Sequence, residues 1–324
     1  MTYQSTRNPV FALTMFMLVP ILLHAAGPQE SAVHAFSEHG SVNTFFVINN
    51  PSAASKGPDS ILTFDSRGNS KVFFGAENNI VGLTDIACDP KKPQHIFVGH
   101  SVFSSKISGF LIFNTSDEIN TVPSGTAGAN ISMVFDRAGN FYVVENVEGT
   151  AKIFKNDVLL ASLPFTGIGR LAVDSRGNLY VTDPFIASRI FRIDQGGNVT
   201  IFADASKGLN NPYGLAVDSR NNVFVANNPG SKPAFILKLD PSGTATSFAT
   251  DISFQPIIES MTFDNQDNLY ATLQANNTIL VFDKQGNSGV FANASDGLNF
   301  PSAIEWGSCT GKRNEEERHF STER

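Results

Sequence analysis

The chain is short of cysteine, tryptophan and charge. Two Cys in 324 residues cannot by themselves build a structural zinc cluster or a disulfide-dense scaffold. Charged residues make up 16%, with 23 Lys+Arg against 30 Asp+Glu and a formal net charge of −7. Binding nucleic acid through counterion release needs a dense basic face, and a net-acidic chain this poor in Lys and Arg lacks one. Beyond the first segment no apolar run is long enough to span a membrane. The segments that repeat along the chain have no helical period. What is present is a hydrophobic content of 41%, which suffices for a globular core, and 28 Phe beside one Trp.

The one uncharged apolar run is PVFALTMFMLVPILL, residues 9–23, preceded by Arg7 and followed by HAAGPQE with small residues Ala25 and Gly27. This is the layout of a secretory signal peptide cleaved after Gly27, with Ala35 as a second candidate. The competing reading, an uncleaved anchor, needs about 20 apolar residues, and this run is shorter and contains Pro20. We expect a signal peptide at 1–27, a linker at 28–40, a folded region at 41–308 and a polar tail at 309–324. The mature product is then a secreted, soluble monomer with no membrane span. The tail GKRNEEERHFSTER mixes charges without an apolar pattern and is expected to lack fixed structure. A short acidic helix that docks a partner is the alternative.

The rest of the chain repeats. ISMVFDRAGNFYVVEN (131–146), GRLAVDSRGNLYVTDP (169–184), GLAVDSRNNVFVANNP (214–229) and SMTFDNQDNLYATLQ (260–274) lie over one another. Each reads as a strand, an Asp, a polar turn and an aromatic-bearing strand. The aspartates Asp136, Asp174, Asp218 and Asp264 stand 38, 44 and 46 residues apart. TDIACDPKKPQHIFVGH (84–100) fits with a longer turn, and TFFVINN (44–50) supplies a second strand alone. Each unit continues into a second hairpin, as in RIFRIDQGGNVTIFAD (189–204), FILKLDPSGTATSFAT (235–250), TILVFDKQGNSGVFAN (278–293) and SILTFDSRGNSKVFFG (60–75). Asp capping a turn whose Gly and Asn accept positive φ is hairpin chemistry.

Four strands per unit at this period is the pattern of a β-propeller blade. The second-strand aromatics Phe46, Phe97, Tyr142, Tyr180, Phe224 and Tyr270 count six blades. The first unit lacks its innermost strand, and KGLNNPYGLAVDS (207–219) aligns with DGLNFPSAIEWGS (296–308). The expected fold is therefore all-β: a six-bladed propeller in which the C-terminal strand completes the N-terminal blade, closing the ring and removing open edges. A β-sandwich does not explain the displaced strand.

The motif G-L-A-V-D-S-R-G-N-L-Y-V resembles the NHL repeat and the six-bladed relatives of the gluconolactonase and senescence-marker type. Roughly residues 41–308 carry it. The resemblance implies architecture more than activity, since such propellers include hydrolases, a lyase module and binding scaffolds. In the hydrolases the entries of the inner strands hold a divalent metal such as Ca²⁺, which wants several oxygens. Here those entries are Thr84, Ile131, Gly169, Tyr213, Glu259 and Ser302, with Asp85 one step on. Only Glu259 is a carboxylate in that ring, so it is the one metal-ligand candidate. A second ring, at the exits of the second strands, contains Asn49, His100, Glu145, Asp183, Asn227 and Leu273. Its polar members either converge on a ligand or are turn residues. Glu145, Asp183 and Glu259, with only Arg170 as a nearby cation, suggest a negative mouth that prefers a cationic, hydroxyl-rich ligand, with Tyr213 as a stacking surface.

The leading functional expectation is a binding module that takes a small molecule or a protein on this face. A metal-dependent lactonase, esterase or lyase using Glu259 is the alternative. Other motifs are weak. Gly167-Ile168-Gly169-Arg170-Leu171-Ala172 leads into a strand where a dinucleotide needs a helix N-terminus. Gly307-Ser308-Cys309 has no helix after it. Inner-strand alignment puts Cys88 and Cys309 on one side of neighbouring strands, so a Cys88–Cys309 disulfide is expected in an oxidising compartment. N-x-S/T sequons fall at Asn114, Asn130, Asn198, Asn276 and Asn293. Asn198 and Asn276 are the best placed for glycans if the host is eukaryotic.

Overall fold

The computed structural model describes residues 44–307, apart from 52–56, 94, 103–106, 114–118, 124–131, 148–149, 165–166, 168, 186 and 253–256. The expected signal peptide, linker and tail lie outside the described residues, as do Asn114, Asn130, Ile131 and Cys309.

The described residues form six four-stranded antiparallel sheets. The first contains β1 (Thr44–Asn49), β2 (Ser60–Phe64) and β3 (Ser70–Phe74), and the second β4 (Leu83–Cys88), β5 (Ile96–Val102), β6 (Ile107–Phe113) and β7 (Ile119–Pro123). The third has β8 (Ser132–Phe135), β9 (Phe141–Val147), β10 (Thr150–Lys155) and β11 (Val158–Leu163). The fourth has β12 (Leu171–Val173), β13 (Leu179–Asp183), β14 (Arg189–Ile193) and β15 (Val199–Ala203). The fifth has β16 (Pro212–Val217), β17 (Val223–Asn227), β18 (Phe235–Leu239) and β19 (Ala245–Ala249). The sixth has β20 (Ile258–Phe263), β21 (Leu269–Leu273), β22 (Thr278–Phe282) and β23 (Ser288–Ala292). The last strand, β24 (Pro301–Gly307), pairs antiparallel with β1, Phe46 opposite Glu305 and Ile48 opposite Ala303. The first blade is thus β24-β1-β2-β3, as the displaced strand required. The inner strands touch in a closed circuit, β4 to β8, β12, β16, β20, β24 and back to β4.

The turns follow from short-range chemistry. Asp174 Oδ1 accepts the backbone N–H groups of Arg176 (2.9 Å) and Asn178 (2.8 Å), and Oδ2 accepts Asn178 Nδ2 (2.7 Å). The same set recurs at Asp65, Asp136, Asp194, Asp218, Asp264 and Asp283. The residue between the two donors has positive φ, 78° at Gly177 and 64° at Asn221, which is why the slot takes Gly, Asn or Asp. Tyr142 and Tyr180 donate their hydroxyls back to Asp136 (3.1 Å) and Asp174 (3.3 Å). Where the aromatic is tyrosine, the repeated Asp-to-aromatic spacing of six residues is therefore a bonded pair; Phe224 keeps the place without the bond.

Apolar residues from facing blades fill the spaces between sheets. The blade 6–blade 1 interface joins the chain ends through an aromatic group. Phe45 lies 4.2 Å from Tyr270, 5.1 Å from Phe291 and 4.4 Å from Trp306, ring centre to ring centre. Such contacts add to simple area burial. Cys88, the last residue of β4, is disulfide-bonded. Among the described residues no helix is long and apolar enough to cross a membrane.

Candidate functional site: the channel and its mouth

The inner strands start at one end of the ring, here called the mouth, and run to the Asp turns at the other. At the mouth, β12 is preceded by Gly169 and Arg170. A Cβ on Gly169 would overlap the Thr182 hydroxyl, so only glycine lets the strand approach that closely. The Arg170 side chain crosses the ring and is buried, 6% exposed. Its Nη1 lies 2.9 Å from Asp85 Oδ1 and donates to the Thr84 carbonyl at 3.2 Å. Its Nε donates to the Glu259 carbonyl at 2.9 Å, and Nη2 to the Ser302 carbonyl. One guanidinium thus ties the fourth blade to the second, sixth and first. Asp85 is equally committed. Its Oδ2 accepts Ser132 Oγ (2.7 Å) and the Met133 N–H (2.9 Å).

Glu259 stands beside this pair, its Oε1 3.9 Å from Arg170 Nη2. Burial pushes its carboxyl up to about 7; Arg170 opposes the shift and Asp85 adds to it. Tyr213, one blade away, is pushed to about 12 by burial and by Glu259. Phe185, 63% exposed, meets Tyr213 edge-on at 6.3 Å. The mouth is therefore a shallow cup. Its floor is a paired guanidinium, and its wall carries a titrating carboxyl and two aromatic rings.

The second ring does not line this cup. Asn49 is 4% exposed, donates to the Gly297 carbonyl (2.9 Å) and accepts the Asn299 N–H (3.1 Å). Asn227 is fully buried and accepts the Asn210 N–H at 2.7 Å. Both orient the loop that leads into their own inner strand. Their neighbours reach the next blade. Asn50 Nδ2 donates to the Leu83 carbonyl (2.8 Å), and Asn228 accepts the Ile258 N–H (3.0 Å). Asp183 is fully buried and holds Arg189 at 2.9 Å. Glu145 is 6% exposed. His100 is partly buried, and burial holds its imidazole below the usual range, against the Val81 hydrogen bond and Asp59. Asn49 and Asn227 thus serve the loops into their inner strands, whereas His100 and Glu145 lie within β5 and β9. Glu259 stands beside Arg170, whose guanidinium lies among the second, sixth and first blades, so the mouth carries a buried cation as well as carboxyls.

The metal implied by the resemblance does not fit these donors. Both carboxylates at the mouth face one guanidinium, and among the described residues no group of three or more His, Cys, Asp or Glu side chains is placed to hold an ion. Sequence reasoning placed Arg170 only at the edge of the site. The available signal was register: Asp85 and Arg170 occupy the same step of their repeats, where other blades have Ser132, Gly214, Ser260 and Ala303. Register puts the opposite charges on one layer, and closure of the ring brings them together.

On the other side of the Asp85–Arg170 pair the channel widens into a cavity of about 560 Å³ that opens among the Asp turns. Glu305, on β24, lies in its wall. Its step of the repeat is occupied elsewhere by Ala87, Val134, Ala172, Ala216 and Thr262.

No protein-family model and no curated protein matches the chain. Solved structures share its fold. It is similar to a chain of a nidogen/laminin complex at 16% identity and a TM-score of 0.63, covering 82% of this chain and 98% of that one. It is similar to TolB from Acinetobacter baumannii at 14% identity and a TM-score of 0.62, covering 83% and 67%. It is also similar to a gluconolactonase from Xanthomonas campestris at 16% identity and a TM-score of 0.52, covering 83% and 95%. The six-bladed propeller is common to all of this; at such identities the likeness carries the fold alone.

Proposed function

We propose that this chain is an exported binding module that takes its ligand or protein partner at the mouth of the propeller, without metal-dependent catalysis. One observation carries the reading. The axis of the mouth, where a catalytic cation would need free oxygens, is filled by Arg170, which uses Asp85 and three backbone carbonyls. A divalent ion would have to displace a buried, fully engaged guanidinium and then sit beside it. Above this floor the exposed Phe185 ring against Tyr213 offers an aromatic contact surface, and Glu259 one carboxyl. Aromatic side chains of this kind anchor many interfaces. A similar fold is found in a nidogen/laminin complex, and a propeller used as a binding scaffold agrees with that.

Thermal unfolding with millimolar Ca²⁺, Mg²⁺, Mn²⁺ and Zn²⁺ tests the reading. A bound ion stabilises by about 2.7 kcal/mol at a hundredfold excess over Kd, which moves Tm visibly. An unchanged Tm is expected; a rise of several degrees with one ion, together with lactone hydrolysis that depends on it, overturns the proposal. Export is supported by the apolar N-terminal run and by the bonded state of Cys88, since disulfides persist in oxidising compartments. Its partner in the proposal is Cys309. Peptide mapping without reductant should recover the two cysteine peptides linked, and free thiols at both would remove this support.

A further inference from the structure

We propose that the channel cavity behind the Asp85–Arg170 pair is a second binding site, for a compact molecule bearing one primary ammonium group that pairs with Glu305. The site is separate from the mouth and does not depend on the reading of the mouth. Three features of the cavity define the ligand.

The first is size and shape. About 560 Å³ lies between the guanidinium floor and the turn rim, within the range of small-molecule pockets. The second is the wall. Met133, Leu171, Leu215, Met261 and Ile304 are packed between blades and show only their edges to this space, beside Ser260 and Thr262 and with Trp306 lower down, so the wall is mixed, with more polar than apolar surface. The third is the acid Glu305. Glu305 is wedged between β24 and β4 and takes the Cys88 N–H. It keeps partial exposure, and the space it faces is the channel.

The charges around Glu305 favour a cation. Asp85 on β4 adds negative potential, and Arg170, just before β12, is already paired with it. Asp174, Asp218, Asp264 and Asp267 stand towards the rim, against one cationic lining residue there, Arg137. Low-dielectric walls focus such a field. Burial pushes the free Glu305 carboxyl up to about 8, with Asp85 raising it further and the Cys88 N–H opposing. At pH 7 the empty site is therefore largely protonated, and an arriving ammonium stabilises the carboxylate instead. Binding then releases a proton from Glu305 to solvent while the ammonium keeps its own.

Benzylamine, benzyl alcohol and benzoate share one ring and differ in charge, so they are the probes. Calorimetry at pH 7 on the full chain should show benzylammonium binding about tenfold more tightly than the alcohol, the worth of one charge-assisted hydrogen bond. Benzoate should not bind. The heat should vary with the ionisation enthalpy of the buffer, reporting proton release; this needs no variant. Glu305→Gln should lose the preference of amine over alcohol while still binding the alcohol, and near-UV circular dichroism checks that it folds. Equal affinity for amine and alcohol, no buffer dependence, unchanged selectivity in Glu305→Gln, or no binding of any probe would each overturn the proposal.

Discussion

The rim and the axis of this propeller treat the same functional group in opposite ways. At the rim, turn carboxylates gather donors. Asp136 is partly desolvated, which raises its carboxyl, yet Asn140, Tyr142 and Ala138 together hold it below the usual carboxylate value. The Asn198 and Gly196 donors do the same for the exposed Asp194. At the axis, Asp85 has its donors in Arg170, Ser132 and Met133, but Glu259 and Glu305 are poorly supplied. Burial lifts Glu259 to about 7 and Glu305 to about 8. The difference is one of supply. A five-residue turn carries its own N–H groups to its own Asp, whereas a carboxyl on an inner strand depends on the donors that neighbouring blades bring to it. Acids at the rim are structural because they are saturated; at the axis Asp85 is saturated too, and Glu259 and Glu305 are left with capacity for chemistry.

The hardest way to break this contrast is to remove the cation that makes the axis tolerable. Arg170→Met leaves Asp85 buried without its partner and should cost about 3–5 kcal/mol, read by urea unfolding. Adding Asp85→Asn should recover part of that loss, and a double-mutant cycle isolates the coupling. At the rim, Asp136→Ala strands the Ala138 and Asn140 donors and the Tyr142 hydroxyl. A loss of about 2 kcal/mol is expected. Asp283→Ala, whose turn is exposed, should cost less by the same measurement.

The two regions should also separate by pH. Turn acids have folded pKa values below their unfolded ones, so their contribution is present at higher pH and lost as pH falls below about 4. Glu259 and Glu305 have raised folded values. The unfolded chain ionises first, so stability falls as pH climbs from about 4.5 towards 7 and 8. Tm against pH should therefore peak on the acid side of neutrality, and Glu305→Gln should flatten the limb between about 4.5 and 8 while leaving the acid limb in place. The smallest effect concerns glycans. Asn198 donates its Nδ2 to Asp194 Oδ2 at 2.7 Å as part of a turn, whereas Asn276 is exposed in a short 3-10 helix between β21 and β22. In a eukaryotic host, glycopeptide mass spectrometry should find Asn276 more fully occupied than Asn198.

What could be read from the chain tracks the same division. Blade number and the Asp-x-x-Gly-Asn turns were legible because their causes repeat and act within about six residues, and the displaced closing strand because 296–308 aligns with another inner strand, although it pairs with β1 across the whole chain. The second ring illustrates the limit. Asn49, Asn227 and Asp183 share a register, and register shows that they occupy equivalent places. It does not show that their side chains are already spent on the Gly297 carbonyl, the Asn210 N–H and Arg189. Glu305 was passed over because one acid in a terminal strand breaks no local rule.

The amino-acid sequence by itself determined the periodic part of this protein: strand, turn, aromatic latch and the order in which blades close. Those features are set by contacts between near neighbours, so each repeat carries its own instructions. The axis was decided only by the tertiary structure. Asp85, Arg170, Glu259 and Ser302 lie in four different blades and meet solely because the ring closes and brings its inner strands together. Their pairing, and the cavity beneath them, depend on distances that no stretch of sequence contains. Burial, a property of the whole ring, then sets the charge that Glu259 and Glu305 carry.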